Sequence, residues 1–241
     1  MNDLFECAKR LNLKSQTVCS AAIYFHKFFR QLRKDKTDSS SVIAPSSGSL
    51  TDSTDCEPGQ LDANLIACTC LYLASKIEEN PVKCKDLLFA FNECVNQNDE
   101  LSFNKFNELS ASIVTCEMLV CQLIHFDLNN RLPHNYLLHY CKSLNEWLFD
   151  DRNHSVQFSN LCWSLLADFY RDEDCVCQQF EPQEIAIAIL QIAIRVFKDN
   201  LEQSHQNLKQ ILDYTCRLYD RLDKENLWRI YLIVMKTFQF K

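Results

Sequence analysis

The chain has 241 residues and a mass of 28.2 kDa, room for one large domain or two of roughly 100 to 120 residues each. At 47% hydrophobic, 24% charged and a formal net charge of −7 it has the make-up of a globular protein with a sizeable core, which excludes wholesale disorder, fibrous repeats and a main task of neutralising a phosphate backbone. Its 2 glycines, Gly48 and Gly59, stand where an average chain carries about 17, so Gly-dependent turns, bulges and phosphate loops are scarce and an all-α fold is expected.

A short amphipathic helix is predicted over 2–12. A longer one covers 15–36, where Val18, Ala21, Ala22, Phe25, Phe28, Phe29 and Leu32 recur at the spacing of one helical face. Residues 37–60 change character, with 7 Ser, both glycines, two prolines and 4 acidic residues, and read as a loop or tether. The helix predicted over 61–79 is uncharged and apolar on nearly every side from Leu65 to Ala74, so other helices must surround it. Helices over 82–95 and 104–126 follow, and Pro133 opens a fifth that carries Leu137, Cys141, Leu144 and Leu148. After a break at 150–153, further helices are predicted at 155–171, 183–198, 205–221 and 224–238, with Pro182 at a helix start.

The second half repeats the first. Residues 65–76 align without gaps to 184–195 at an offset of 119, sharing Ile, Ala, Leu and Ala positions and ending on Lys76 and Arg195. Tyr24 to Arg30 matches Leu165 to Arg171 at an offset of 141, and an insertion the size of the Ser-rich stretch reconciles the two. The 14 cysteines accompany a core rich in Leu, Ile and Phe, so Cys68, Cys70, Cys116, Cys121, Cys141, Cys162 and Cys216 are expected as reduced, buried hydrophobes. Their spacing forms no four-ligand metal set, and no cofactor is expected. The first ten residues carry charges where a secretory signal places its apolar region, so the chain is expected in the nucleus, the cytoplasm or both, and not secreted.

Two charges fall on apolar faces. At 100° per residue Lys76 shares a face with Leu65, Thr69 and Tyr72, and Glu117 lies within the face of Leu109, Ile113, Val120 and Ile124. A charge in such a place needs a partner, and the economical arrangement pairs the two where helix ends converge, with donors and acceptors to spare for another molecule.

The segment from Ser20 to Phe29, followed by Leu71-Tyr-Leu-Ala-Ser-Lys-Ile-Glu-Glu-Asn-Pro81, resembles the cyclin box of the transcription-type cyclins. Leu132 to Tyr140 and Ser143 to Leu148 resemble the fifth helix of the cyclin-Q (cyclin-M) class. The resemblance implies two tandem cyclin-box helical bundles: a short N-terminal helix in 1–14, a first box over 15–150 with 37–60 as an inserted loop, and a divergent second box over 151–241. It implies a regulatory subunit, with no catalysis of its own, that forms a heterodimer with a cyclin-dependent Ser/Thr kinase, for this class the type-ten kinase. Lys76 and Glu117 then correspond to the pair that bonds backbone groups beside the mobile kinase helix, and Leu73, Ile77 and Phe126 to apolar contacts of that helix. The first helix has Val18-Cys-Ser-Ala-Ala22 where cell-cycle cyclins have Met-Arg-Ala-Ile-Leu, so Arg-x-Leu docking is not expected.

Alternatives fare less well. A helical enzyme lacks its motifs, since no His-Glu-x-x-His, Gly-x-Ser-x-Gly or phosphate loop occurs. A cyclin-fold transcription factor of the B type needs a basic face, and this chain is acidic. A helical scaffold without a kinase leaves the charged pair without a role. Lys224-Glu225-Asn226 spells a destruction motif, but Asp223 before it reads as the N-cap of a helix start.

Overall fold

The computed structural model describes residues 1–39, 62–95, 102–149, 152–177, 180–197 and 208–239, and all regular structure among them is α-helix. The all-α expectation holds. The chain divides into two compact units, Met1–Leu128 and Asn129–Lys241.

The first unit holds α1 (Asn2–Arg10), α2 (Ser15–Ser39), α3 (Ala63–Ile77), α4 (Cys84–Val95) and α5 (Phe103–Leu123). Its axis is α3, which packs against each of the other four. The sequence explains this: Ile66, Ala67, Cys68, Cys70, Leu71, Leu73 and Ala74 leave no polar face, and all are buried. The hydroxyls within it are silenced locally, Thr69 Oγ1 donating to Leu65 O at 2.7 Å and Ser75 Oγ to Tyr72 O at 2.7 Å. Asp62 caps its start by accepting from Asn64 N at 2.9 Å. Leu71, fully buried, would cost about 2–5 kcal/mol if cut to Ala.

The second unit holds α6 (His134–Leu148), α7 (Arg152–Phe169), the short α8 (Asp174–Cys177), α9 (Pro182–Val196), α10 (Leu208–Arg217) and α11 (Lys224–Gln239). Here α9 is the axis, with every residue from Glu184 to Ile194 buried, packed by α6, α7, α10 and α11. Its bounds differ from those of α3 by 119 at both ends, the offset of the sequence repeat. The buried polar groups of α9 tie its neighbours down. Gln191 donates to Thr215 Oγ1 at 2.9 Å and accepts from the Tyr231 hydroxyl. Glu184 accepts from Glu181 N at 3.2 Å and from the Asn226 amide at 3.2 Å. Lys224-Glu225-Asn226 is thus the first turn of α11, with Asp223 accepting from Glu225 N at 2.9 Å and Asn226 held by buried Glu184.

The compact units divide at 128/129, with α6 packed on α9 and α7, while the predicted boxes divide at 150/151. Two readings need correction. Helix α2 runs through Thr37 to Ser39, and the rest of the Ser-rich stretch, from 40 to 60, lies outside the described residues. Cys216 is exposed, whereas Cys68, Cys70, Cys121, Cys141 and Cys162 are buried free thiols; Cys116 is intermediate. Burial pushes the Cys7 and Cys19 thiols up to about 12, as expected of inert core sulfurs.

Candidate docking site

Helices α3 and α5 lie side by side in the first unit, and the two charges noted in sequence meet between them. Lys76 Nζ donates to both oxygens of Glu117, at 2.7 and 2.8 Å, and sits 4.0 Å from the centre of the Tyr72 ring one turn earlier. The lysine side chain is 41% exposed and the glutamate 19%, so the pair is anchored below and open above. Ile77, next to Lys76 in the chain, is 41% exposed, and Phe126, just past the end of α5, is 60% exposed. Leu73 does not join them: at 4% exposure it belongs to the core and supports the surface from beneath. Sequence reasoning missed Val114 and Met118, exposed apolar residues of α5 that lie to one side of Glu117, within about 100° around the helix. The signal was there, since both fall outside the buried stripe.

Both helices end beside this surface in the same motif. After α3, Glu79 N donates to Lys76 O and Asn80 N to Ser75 O, with Glu79 at φ 51°. After α5, His125 N donates to Gln122 O and Phe126 N to Cys121 O, with His125 and Phe126 both at φ 54°. These are Schellman ends, where glycine is the usual left-handed residue. Each non-Gly residue held there costs about 1–2 kcal/mol, so the turns must be stabilised from outside.

Helix α2 does this with three side chains at i, i+4 and i+7. Ser20 Oγ donates to Glu78 Oε1 at 2.6 Å, on the turn that ends α3. Tyr24 OH donates to Leu128 O at 2.7 Å, and Lys27 Nζ to Asp127 Oδ2 at 2.8 Å and Asp127 O at 3.2 Å, on the turn that ends α5. Burial holds the Tyr24 phenol well above its ordinary value, with the Glu78 carboxylate adding, so it remains a donor. Burial likewise raises the Cys121 thiol next to the pair, with Glu117 adding to it.

The second unit does not repeat the pair. The counterpart of Lys76 at offset 119 is Arg195, which lies 5.0 Å from the Tyr231 ring and forms no ion pair among the described residues. A cavity of about 280 Å³ lies at the other ends of α3 and α5, floored by Leu65, Cys68, Leu88, Phe91 and Leu109. From Leu65 to Lys76 is about 16 Å along the helix, so the cavity is separate from the pair. No group of three or more His, Cys, Asp or Glu among the described residues is placed to hold a metal ion, and no helix among them is long and apolar enough to cross a membrane.

The first unit thus presents a braced ion pair and exposed apolar side chains on one helical frame. Residues 1–129 match the family model for the cyclin N-terminal domain, more than half of the chain, and the chain belongs to the cyclin family. It is similar to Cyclin-K of Homo sapiens, 27% identical over 203 residues that make up 83% of this chain and 29% of that protein. It is also similar to Cyclin-T1-2 of Arabidopsis thaliana, 23% identical over 216 residues, 88% of this chain and 40% of that protein. The CTD kinase subunit beta of Schizosaccharomyces pombe is 26% identical over 136 residues, 54% of this chain and 38% of that protein. The chain therefore spans between 29% and 40% of the length of these curated relatives. Among solved structures, a chain of the CAK complex from Chaetomium thermophilum bound to ATP-γ-S has the same fold, with TM-score 0.59 and 15% identity over 97% of this chain and 60% of that one.

Proposed function

We propose that this cyclin is the regulatory subunit of a transcription-linked cyclin-dependent Ser/Thr kinase, and that it belongs to the cyclin-Q class, whose partner is the type-ten kinase. Lys76 and Glu117 hydrogen-bond backbone groups beside the mobile helix of the kinase small lobe, while Ile77 and Phe126 pack against that helix over Leu73. Binding holds the helix so that its Glu pairs with the ATP-positioning Lys of the kinase, and it helps order the activation loop. The cyclin performs no chemistry, needs no cofactor, and acts in the nucleus, the cytoplasm or both.

The observation that carries this reading is the Lys76–Glu117 pair, closed at 2.7 and 2.8 Å yet with its lysine 41% and its glutamate 19% exposed. The names of its relatives support the choice of kinase group, since they include Cyclin-K and a CTD kinase subunit. The test is co-purification of the chain with a panel of cyclin-dependent kinases, followed by phosphorylation assays of each retained kinase with and without it. Retention of the type-ten kinase, with activity that depends on the chain, is expected. A chain that retains none of the panel contradicts the kinase role, and retention of another member alone contradicts the type-ten assignment.

A further inference from the structure

The cavity at the starts of α3 and α5 has no part in the kinase reading. Its volume of about 280 Å³ lies just below the ~300 Å³ at which pockets for drug-sized ligands begin, so it suits a smaller molecule. The floor is apolar throughout. Cys68, Leu88 and Phe91 belong to the buried core, and Leu65, Val95 and Leu109 pack against it. Burial holds the Cys68 thiol well above its ordinary range, so it lines the floor as a small hydrophobe and not as a nucleophile.

The polar lining is dipolar. Among the described residues Asp62 and Lys105 are the only charged groups that line the cavity, and half-buried Asn64 and Asn92 add amides that can donate and accept. Asp62 is the N-cap of α3, and Lys105 stands in the first turn of α5, its backbone N–H donating to Ser102 Oγ at 3.4 Å. A cation in a first turn opposes the helix dipole, so α5 gains nothing from the charge of Lys105. Neither Asp62 nor Lys105 forms an ion pair among the described residues, with the other or with a third group. Glu93, next to Asn92, is taken up by Arg10 at 2.7 Å.

We infer that this cavity binds a free amino acid with a large apolar side chain. The side chain fills the floor against Phe91, the ammonium group faces Asp62 and the carboxylate faces Lys105. An anion alone would be repelled by Asp62 and a cation alone by Lys105, whereas a zwitterion finds a partner for each of its charges. The same residue inside a peptide chain has lost both charges, so an internal segment of another protein is not the occupant. Kinase docking, at the other ends of α3 and α5, is not required.

The test uses the full chain and three probes with one side chain: L-phenylalanine, its amide, which is a cation, and its N-acetyl derivative, which is an anion. NMR titration of the isotope-labelled chain should show L-phenylalanine binding at least about tenfold more tightly than either derivative, with the shifts centred on Cys68, Phe91 and Leu109. Lys105→Glu gives the cavity two carboxylates and should invert the order, so that the amide binds best. Lys105 is exposed and an acidic residue suits a first turn, so this variant keeps its fold. Cys68→Met sets a longer side chain into the floor and should abolish binding of all three probes, with circular dichroism checking that the helices remain. Equal binding of the three probes, an order that Lys105→Glu leaves unchanged, or no binding of L-phenylalanine overturns the inference.

Discussion

Lys76→Met separates docking from stability, because it keeps most of the stem and removes only the charge. In the free chain the lysine contributes a partly exposed ion pair, worth about 0–1 kcal/mol at such exposure, and a contact with the Tyr72 ring worth about 0.5–1 kcal/mol. The loss of folding stability should therefore be about 1 kcal/mol, a fall of about 2–4 °C in Tm for a chain of this size. Docking changes the terms. Once a partner covers the pair, Glu117 is desolvated and its 2.7 and 2.8 Å bonds to Nζ have no replacement. Truncating one side of a covered charge pair costs about 2–5 kcal/mol, so kinase affinity should fall by about thirtyfold or more. Titration calorimetry against the retained kinase and thermal melts followed by circular dichroism measure the two quantities on the same preparation. Wild-type affinity in the variant removes the docking role from Lys76, and a Tm loss as large in free energy as the affinity loss makes the residue merely structural.

Tyr24→Phe deletes one hydroxyl and leaves the Leu128 carbonyl short of a donor, so about 1 kcal/mol of stability should go and amide exchange at Phe126 to Leu128 should quicken; unchanged exchange there would show that α2 does not brace the turn. His125→Gly and Glu79→Gly each relieve a left-handed non-Gly residue and should stabilise the first unit by up to about 1 kcal/mol in urea denaturation. Asn226→Ala strips amide donors from buried Glu184 and should cost about 1–3 kcal/mol, read as a lower urea midpoint with an unchanged slope. Burial lowers the His134 pKa from 6.5 to about 4, so the unfolded chain takes up its proton first as pH falls. That stability is full above about pH 6.5 and drains away towards pH 4, about 2 kcal/mol of it by pH 5, and His134→Phe, stacked likewise on Trp163, should lack that component of the acid loss.

Helix positions were legible in sequence wherever one face was apolar, which is why α2, α3, α5 and α9 fall within three residues of their predicted ends. The Lys76–Glu117 pair was legible for the opposite reason: a charge on an apolar face demands a partner or a path to solvent, and the resemblance to the cyclin box favoured pairing. The brace from α2 was not legible. Its three donors reach groups 58 to 104 residues away, two of the four acceptors being backbone carbonyls, and no local pattern marks such targets. Leu73 was named through the resemblance and not from a helical face, and its depth, 4% exposed in the free chain, is set by the helices packed over α3, which its own sequence does not record. The exposure of Trp228, Leu232 and Met235 on α11 was overlooked, since they look like core residues until the true core face of Leu227, Ile230, Ile233 and Val234 is seen beside them.

The scarcity of glycine reaches further than fold class. A helix ended by a left-handed residue normally uses glycine, and among the described residues three end that way with Asn12, Glu79 and His125. Asparagine and histidine adopt the conformation more readily than most residues and glutamate does not, and Glu79 and His125 follow the helices that carry Lys76 and Glu117. A side chain at such a position restricts the turn more than glycine would, because fewer backbone states are open to it. The bonds from Ser20, Tyr24 and Lys27 then fix which state is kept. On the proposed docking, this rigidity has a use. To hold a kinase helix in its active position, a surface must bind that position more tightly than the others, and moving an equilibrium from 1:99 to 99:1 takes about 5.5 kcal/mol of such preference. A turn that adapted to either position would bind both and shift neither. Strain held in place by α2 lets Ile77 and Phe126 discriminate, and relaxing it with His125→Gly should therefore make the free cyclin more stable while making it a poorer activator.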